Sequence, residues 1–418
     1  MSRNEQAQPT NWQQYRLVIG LSFLQSMIWG LVLSMFPLFA RELGANELTI
    51  GSLAAVHPLL SVLGAVPMGI LAGRLSRKAM FALAYVMSGL AGAAYAITNS
   101  PGGLIIPQVL FGLSVVAYWP SQHAHISDNV DPAQRARLFG LAMGLTGFGG
   151  IIGPIVAGRI ADTLGFQSMY LFQGLIAVAG LALVTQVREP AVDTTVSGAS
   201  PRGLSLAATR MLLSRPSLQF IYLCTIIMFL QWGLRDTFLP LYAADLNLTR
   251  TAIGALATAQ TASMSATRLL LGMLGKRAPA GRAVLLFVSL SAFVTLAVPA
   301  LSGFGALVVV AFVAGIGSGA AVPLNLTNVA NATARQERPM AMSLETAASA
   351  SGRLVSSVSF GWLASRIGIP PLFIIGNLVV LAAVAGLSRM RAPGLEPGMA
   401  APERSAVRGA ADGGGQDT

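Results

Sequence analysis

Trp232-Gly-Leu-Arg-Asp-Thr-Phe-Leu-Pro-Leu-Tyr242 decides how this chain is read. The stretch lies in an apolar run from about 217 to 243, yet carries Arg235 and Asp236 side by side. A charge at the centre of a bilayer costs about 2.5–3.5 kcal/mol on insertion scales, so a pair kept there is expected to face a protein interior or a wet cavity. An earlier copy, Trp29-Gly-Leu-Val-Leu-Ser-Met-Phe-Pro-Leu-Phe39, keeps the Trp, Gly, Leu and Pro and places Val32 and Leu33 where the charges stand. One half reads as scaffold, the other as scaffold with chemistry added.

The shift of 203 positions between the copies persists without gaps. It pairs Pro37 with Pro240, Gly51 with Gly254, Gly112 with Gly315, Pro120 with Pro323, and Gly158 with Gly361. Shared Pro and Gly carry weight, because they fix backbone geometry and close helix approach. The shift covers six apolar runs, an even number that keeps orientation, so the repeat is parallel about an axis along the membrane normal.

The 418 residues are 54% hydrophobic and only 10% charged, against about 25% charged in soluble domains. Runs of about 20 apolar residues suit the thickness of a bilayer. Spans are predicted at 17–40, 48–72, 79–98, 102–124, 137–161 and 167–187, then at 217–243, 250–275, 281–300, 304–328, 340–363 and 370–390. The predicted organisation is an N-terminal six-helix bundle (1–187), a polar cytoplasmic loop (188–216), a C-terminal six-helix bundle (217–390) and a disordered cytoplasmic tail (391–418). All but seven of the 27 Lys and Arg fall in the tails and even-numbered loops, the exceptions being Arg41, Arg159, Arg235, Arg250, Arg268, Arg353 and Arg366. That asymmetry is expected to place both termini in the cytoplasm, and the expected location is a plasma membrane of the bacterial inner-membrane type. The asymmetry accounts for the net charge of +11 without nucleic acid. Residues 1–15 are polar and are expected to be an uncleaved tail. The single cysteine, Cys224, excludes an internal disulfide and a cysteine metal site.

Three stretches resemble the major facilitator superfamily, most closely its twelve-span drug and metabolite proton antiporters. Pro37-Leu-Phe-Ala-Arg-Glu-Leu-Gly44, running into Ile50-Gly51, is similar to that group's first span and outer loop. Gly69-Ile-Leu-Ala-Gly-Arg-Leu-Ser-Arg-Lys78 is similar to the family's G-x-L-x-D-R-x-G-R-R loop, with Gly73 in place of Asp and Ser76 in place of Gly. In the family that Asp helps to hold one closed state, so the Gly73 substitution bears on gating. Gly149-Gly-Ile-Ile-Gly-Pro-Ile-Val-Ala-Gly158 resembles the exporter signature of span five. Gly149, Gly153 and Ala157 share a helix face, Pro154 bends the span, and with Gly158 they read as a packing hinge. Gln108 stands where the family's fourth span often carries a proton-coupling Arg.

The resemblance implies an all-α membrane protein of twelve transmembrane helices in two pseudo-symmetric six-helix bundles. Coupling groups must then lie elsewhere, and Asp236, Glu345, Arg235, Arg268, Arg353 and His57 are the candidates. Burial disfavours an ionised carboxylate and a nearby Arg favours it, so moving the Arg can switch a proton. Glu345, Ser349 and Arg353 step by four residues along one face of span eleven. An Arg268–Glu345 pair is expected in the inner half, with Asp236 near Arg235 or Arg353 further out. The plain alternative is that these charges pin helices within one half, and that His57 is a packing residue. Cavity candidates are Trp29, Phe36, Gln108, Tyr118, Trp119, Trp232, Phe238, Asn325 and Asn328, in spans that line the chamber of the resembled family. The aromatics among them read equally well as lipid-facing.

His123-Ala-His125-Ile-Ser-Asp128 has no standard metal-ligand spacing. No phosphate-binding G-x-x-x-x-G-K-[ST] occurs, and no nucleophile with a His and an acid is evident, so neither ATP drive nor enzymatic chemistry is expected. The expected function is proton-coupled export of a small organic compound, drug-like or a secreted metabolite such as a siderophore. The expectation includes no cofactor beyond the proton gradient, a lipid bilayer, no nucleic acid and a monomer. Proton-coupled uptake is the nearest alternative, and a non-transporting sensor or a membrane enzyme the more distant one.

Overall fold

The computed structural model describes residues 11–129, 135–188, 206–274, 282–334 and 337–390. The loop residues 189–205 and the tail 391–418 lie outside them, as do the surroundings of Gly73 and the side chains of His123 and Asp128.

The described residues form helices α1 (Trp12–Glu42), α2 (Glu47–Ala54), α3 (Val56–Arg74), α4 (Arg77–Ile97), α5 (Ile105–Asn129), α6 (Arg135–Val184), α7 (Leu206–Leu213), α8 (Pro216–Asp245), α9 (Arg250–Leu274), α10 (Ala283–Leu296), α11 (Phe304–Ala332), α12 (Arg338–Ile367) and α13 (Ile369–Ser388). Two differences from the predicted spans have local causes. The second span is broken at Ala55 into α2 and α3, because Pro58 cannot donate to the Ala54 carbonyl and its ring crowds it. Spans five and six run together as α6, kinked at Gly165, whose φ of 83° suits glycine. Its repeat partner, Gly368, takes the same turn between α12 and α13, with φ 82°. Counting the arms of α6 separately, α2–α3 as one crossing, and leaving out the eight-residue α7, the described residues give twelve helical crossings.

The starts of several helices are set by capping residues. Asn11, Asn46 and Ser76 accept hydrogen bonds from Gln14, Thr49 and Ala79, the first free N–H groups of α1, α2 and α4. Ser76, which departs from the family loop pattern, is therefore an N-cap.

Nine helices among the described residues are long and apolar enough to cross a membrane. Helices α9 and α12 fall outside that set because they carry Ser, Thr, Gln and Arg on faces turned to the other bundle. Large apolar side chains stand exposed on the peripheral helices, such as Leu90, Leu175, Leu286, Phe293 and Leu378. In water that surface would be unstable, whereas in lipid it meets its own kind. The chain is an integral membrane protein.

The same contacts recur in both halves. A side chain at Gly149 would strike the Phe23 carbonyl of α1, and one at Gly352 the Ile226 carbonyl of α8. Phe23 and Ile226 are themselves 203 positions apart. Between the bundles, Gly51 of α2 lies against Ser357 and Gly361 of α12, while Gly254 of α9 lies against Pro154 and Ile155 of α6. The two bundles thus meet through two equivalent crossings, α2–α12 and α6–α9, with α1 beside α8 between them.

Candidate functional site

Two pockets flank the α1–α8 contact, and the repeat maps one onto the other. The first takes Gly30, Leu33 and Gly150 from the first bundle and Asp236, Pro240 and Gln260 from the second. The second takes Gly233, Asp236 and Arg353 from the second bundle and Leu33, Pro37 and His57 from the first. Each residue in one set is 203 positions from its counterpart in the other. The pockets share Leu33 and Asp236, which are counterparts of each other. Arg353 fills the place that Gly150 leaves open, and the first pocket accordingly offers about 120 Å³ to water-sized molecules against about 50 Å³ in the second.

Asp236 stands at this junction. Its Oδ1 lies 3.8 Å from Nε of Arg235 and accepts a hydrogen bond from Gln260 at 3.2 Å. Arg235 is 1% exposed and reaches into its own bundle. It donates to Ser318 of α11 at 3.1 Å and to Ser291 of α10 at 3.3 Å. Gln231, Thr295 and Asn377 extend that polar cluster through α8, α10 and α13. The cluster takes up Nη1 of the Arg235 guanidinium and ties four helices together, while Nε and Nη2 are buried without a hydrogen-bond partner among the described residues.

Arg353 is held differently. Its guanidinium lies over the rings of Trp232, Phe229 and Trp29, at 4.9, 5.0 and 5.7 Å. It makes no hydrogen bond or direct ion pair with any described residue, although Asp236 acts on it electrostatically. His57 packs edge-on against Trp29 at 5.0 Å, and its Nε2 is buried without a hydrogen-bond partner among the described residues.

Glu345 lies deeper, toward the end where α8 begins. The expected Arg268–Glu345 pair does not form: the Glu345 carboxylate accepts instead from Thr225 at 3.5 Å, and Asn325 donates to the same Thr225 hydroxyl at 2.6 Å. Arg268 has no ion pair or hydrogen bond among the described residues. The sequence gives depth along a helix but not the rotation of each helix about its own axis.

The cavity candidates divide. Trp29 and Trp232 line the first pocket, and Phe36 and Gln108 the second. Phe238, Tyr118, Asn325 and Asn328 are buried in the packing of single bundles rather than at the pockets. Tyr118 donates to Ser22 of α1, and Trp119 packs edge-on against Tyr118. The glycines of α6 are contact points: Gly149 and Gly153 meet α1, while Gly158 and the Pro154 carbonyl meet α9 of the other bundle. Among the described residues no group of three His, Cys, Asp or Glu is placed to hold a metal.

At the end where α1 and α8 finish, charges clamp the bundles shut. Arg41 bridges Asp245 at 2.6 Å and Glu47 at 3.4 Å. Arg250 pairs with Glu42, donates to the Ala161 carbonyl at 2.7 Å and lies over the Phe166 ring. Asp162 of α6 accepts from the backbone N–H groups of Arg250 and Thr251, capping α9 across the bundle boundary.

The family model of the Major Facilitator Superfamily matches residues 18–234 and again 221–409. The chain belongs to this superfamily. Among curated relatives, it is 23% identical over 218 residues to "Quinolone resistance protein NorA" of Staphylococcus aureus, covering 52% of this chain and 55% of NorA. A "Na(+), Li(+), K(+)/H(+) antiporter" of Planococcus maritimus is 26% identical over 172 residues, 40% of each chain. The matched part thus spans about half the length of the curated relatives, or less. Among solved structures, a variant of the nucleoside transporter NupG superposes with a TM-score of 0.74 at 14% identity, over 90% of this chain and 99% of that one. A POT family transporter in complex with a thioalcohol-conjugated peptide gives 0.72 at 12%, over 90% and 95%. At these identities the structures establish the major facilitator fold.

Within that superfamily fold, sequence reasoning missed Gln260, Thr225, Phe229 and the far-end clamp. Gln260 was traceable, because the repeat aligns it with His57. The clamp was traceable only as Arg41 and Arg250 lying outside the positive loops. Their acidic partners come from distant helices.

Proposed function

We propose that this chain is a secondary active transporter that exports a small organic compound in exchange for protons. The observation that carries the reading is Asp236, a carboxylate placed where two equivalent pockets meet between two bundles. A group at that junction can face one side of the membrane and then the other as the bundles rock. Asp236 and Glu345 are the proton carriers in this reading, with Arg235 as the fixed counter-charge of Asp236. The bundles 1–187 and 217–390 move as bodies joined by 188–216, with the Gly51 and Gly254 crossings as the rocking contacts. The far-end clamp closes one side, and both termini lie on the other, cytoplasmic, side. The export direction draws support from the span-five stretch Gly149–Gly158 and from the likeness to a drug-resistance protein; ion exchange draws it from the likeness to a cation/proton antiporter.

The test is transport by purified protein in vesicles under an imposed pH gradient, with and without a protonophore. Proton-driven movement that is lost with Asp236→Asn supports the reading. Movement unaffected by the protonophore, or undiminished in both Asp236→Asn and Glu345→Gln, refutes it.

A further inference from the structure

Around the pockets the charges do not balance: Arg235 and Arg353 face a single acid, Asp236. Arg235 directs donors to Ser291 and Ser318 within its own bundle. Arg353 directs none to any described residue. Its counterpart in the first bundle is Gly150, so the helix crossing at this place does not need a side chain. A guanidinium stacks through its flat face and donates through its edge. Three aromatic rings pack around the guanidinium of Arg353, and no described residue takes up its N–H groups, which leaves them to a ligand. A cation held in a poorly solvated chamber without a hydrogen-bonding anion is costly, and an anionic ligand removes that cost.

We infer that Arg353 anchors the head of an amphipathic organic anion, a carboxylate on an aromatic or alicyclic body. The inference rests on the transporter reading and narrows its substrate class. The carboxylate takes two parallel hydrogen bonds from the guanidinium edge beside Asp236 and His57. The body lies in the roomier first pocket, against Trp29 and Trp232. Gly150 supplies the room there that Arg353 removes from the second pocket.

Binding of radiolabelled 2-naphthoate, 2-naphthamide and 2-naphthylmethylammonium to the full chain in lipid nanodiscs, read by equilibrium dialysis, tests this. Naphthoate is expected to bind about tenfold or more tighter than the amide. Arg353→Gln is expected to erase that preference and Arg353→Lys to keep part of it, with amide affinity unchanged in both. Equal or tighter binding of the amide or the ammonium overturns the inference. So does a preference that survives Arg353→Gln, a loss that extends to the amide, or binding of none of the three. Proton-driven export of a neutral aromatic compound by the wild type is measured alongside. If export persists without anion preference, only the inference falls; if there is no proton-driven movement, the transporter reading falls too.

Discussion

The two pockets are built on the same plan and differ at several paired positions, among them Leu33 against Asp236, Val32 against Arg235, Gly150 against Arg353, and His57 against Gln260. Every difference in formal charge lies on the second bundle. The first bundle supplies apolar surface and a glycine. The same asymmetry holds deeper in the helices. In the first bundle Ser22 of α1 receives hydrogen bonds from Tyr118 and Gln122 of α5. In the second, its counterpart Thr225 receives one from Asn325 of α11 and gives one to Glu345 of α12. The counterpart of Glu345 is Ala142. A duplicated scaffold can thus hold two similar clefts while only one copy pays the desolvation cost of charges, and the comparison teaches that geometry and charge are separable here.

Making the pockets alike should break the asymmetry most severely. Asp236→Leu, which installs the residue of the first bundle, is expected to reduce proton-driven transport to the level of protein-free vesicles, while Leu33→Ala leaves it measurable. Transport by the Leu variant equal to wild type would mean that charge asymmetry has no role in coupling.

The crossings come next in size. A methyl group at Gly51 or at Gly254 meets a carbonyl of the opposite bundle, and overpacking of this kind costs about 1–3 kcal/mol. Gly51→Ala and Gly254→Ala should each shift the population toward a state open at the clamped end by about 5- to 150-fold. Spin-label distances between the ends of α1 and α8 measure it. Unequal responses would show that the two crossings are not equivalent.

Smaller effects are expected at the clamp, where the pairs are partly exposed. Asp162→Asn removes the charge of the cross-bundle cap on α9 and should cost about 1 kcal/mol or less of the closed state in the same measurement.

The smallest concerns an ion pair that the first bundle lacks. Arg215 forks onto Glu337 at 2.7 and 2.6 Å, where the first bundle has Trp12 and Gln134. Those hydrogen bonds hold the Glu337 carboxyl below the ordinary carboxylate range. Its stabilisation is then complete above about pH 4.3 and disappears as pH falls through the lower folded value. Because the pair is partly solvated, Glu337→Gln should cost about 1 kcal/mol or less in unfolding experiments at neutral pH, and nothing once Glu337 is protonated.

The sequence by itself determined the membrane setting, the internal repeat and the half of the chain that carries the charges. Hydrocarbon penalises a charge so heavily that Arg235 and Asp236 stand out against their neighbours, and Gly and Pro keep their places because backbones touch there. What only the tertiary structure decided is where each side chain points. Arg235 and Asp236 are adjacent in the chain, yet one turns into the core of its bundle and the other faces the pockets. Arg268 and Glu345 share a predicted depth, yet no ion pair joins them among the described residues, and Glu345 accepts from Thr225 instead. Periodicity fixes the angles between residues on one helix, whereas the rotation of each helix against its neighbours comes from the packing of all of them. The opposition of Gly150 and Arg353 needs both: the repeat aligns them in sequence, and the fold turns that alignment into two facing clefts of unequal size.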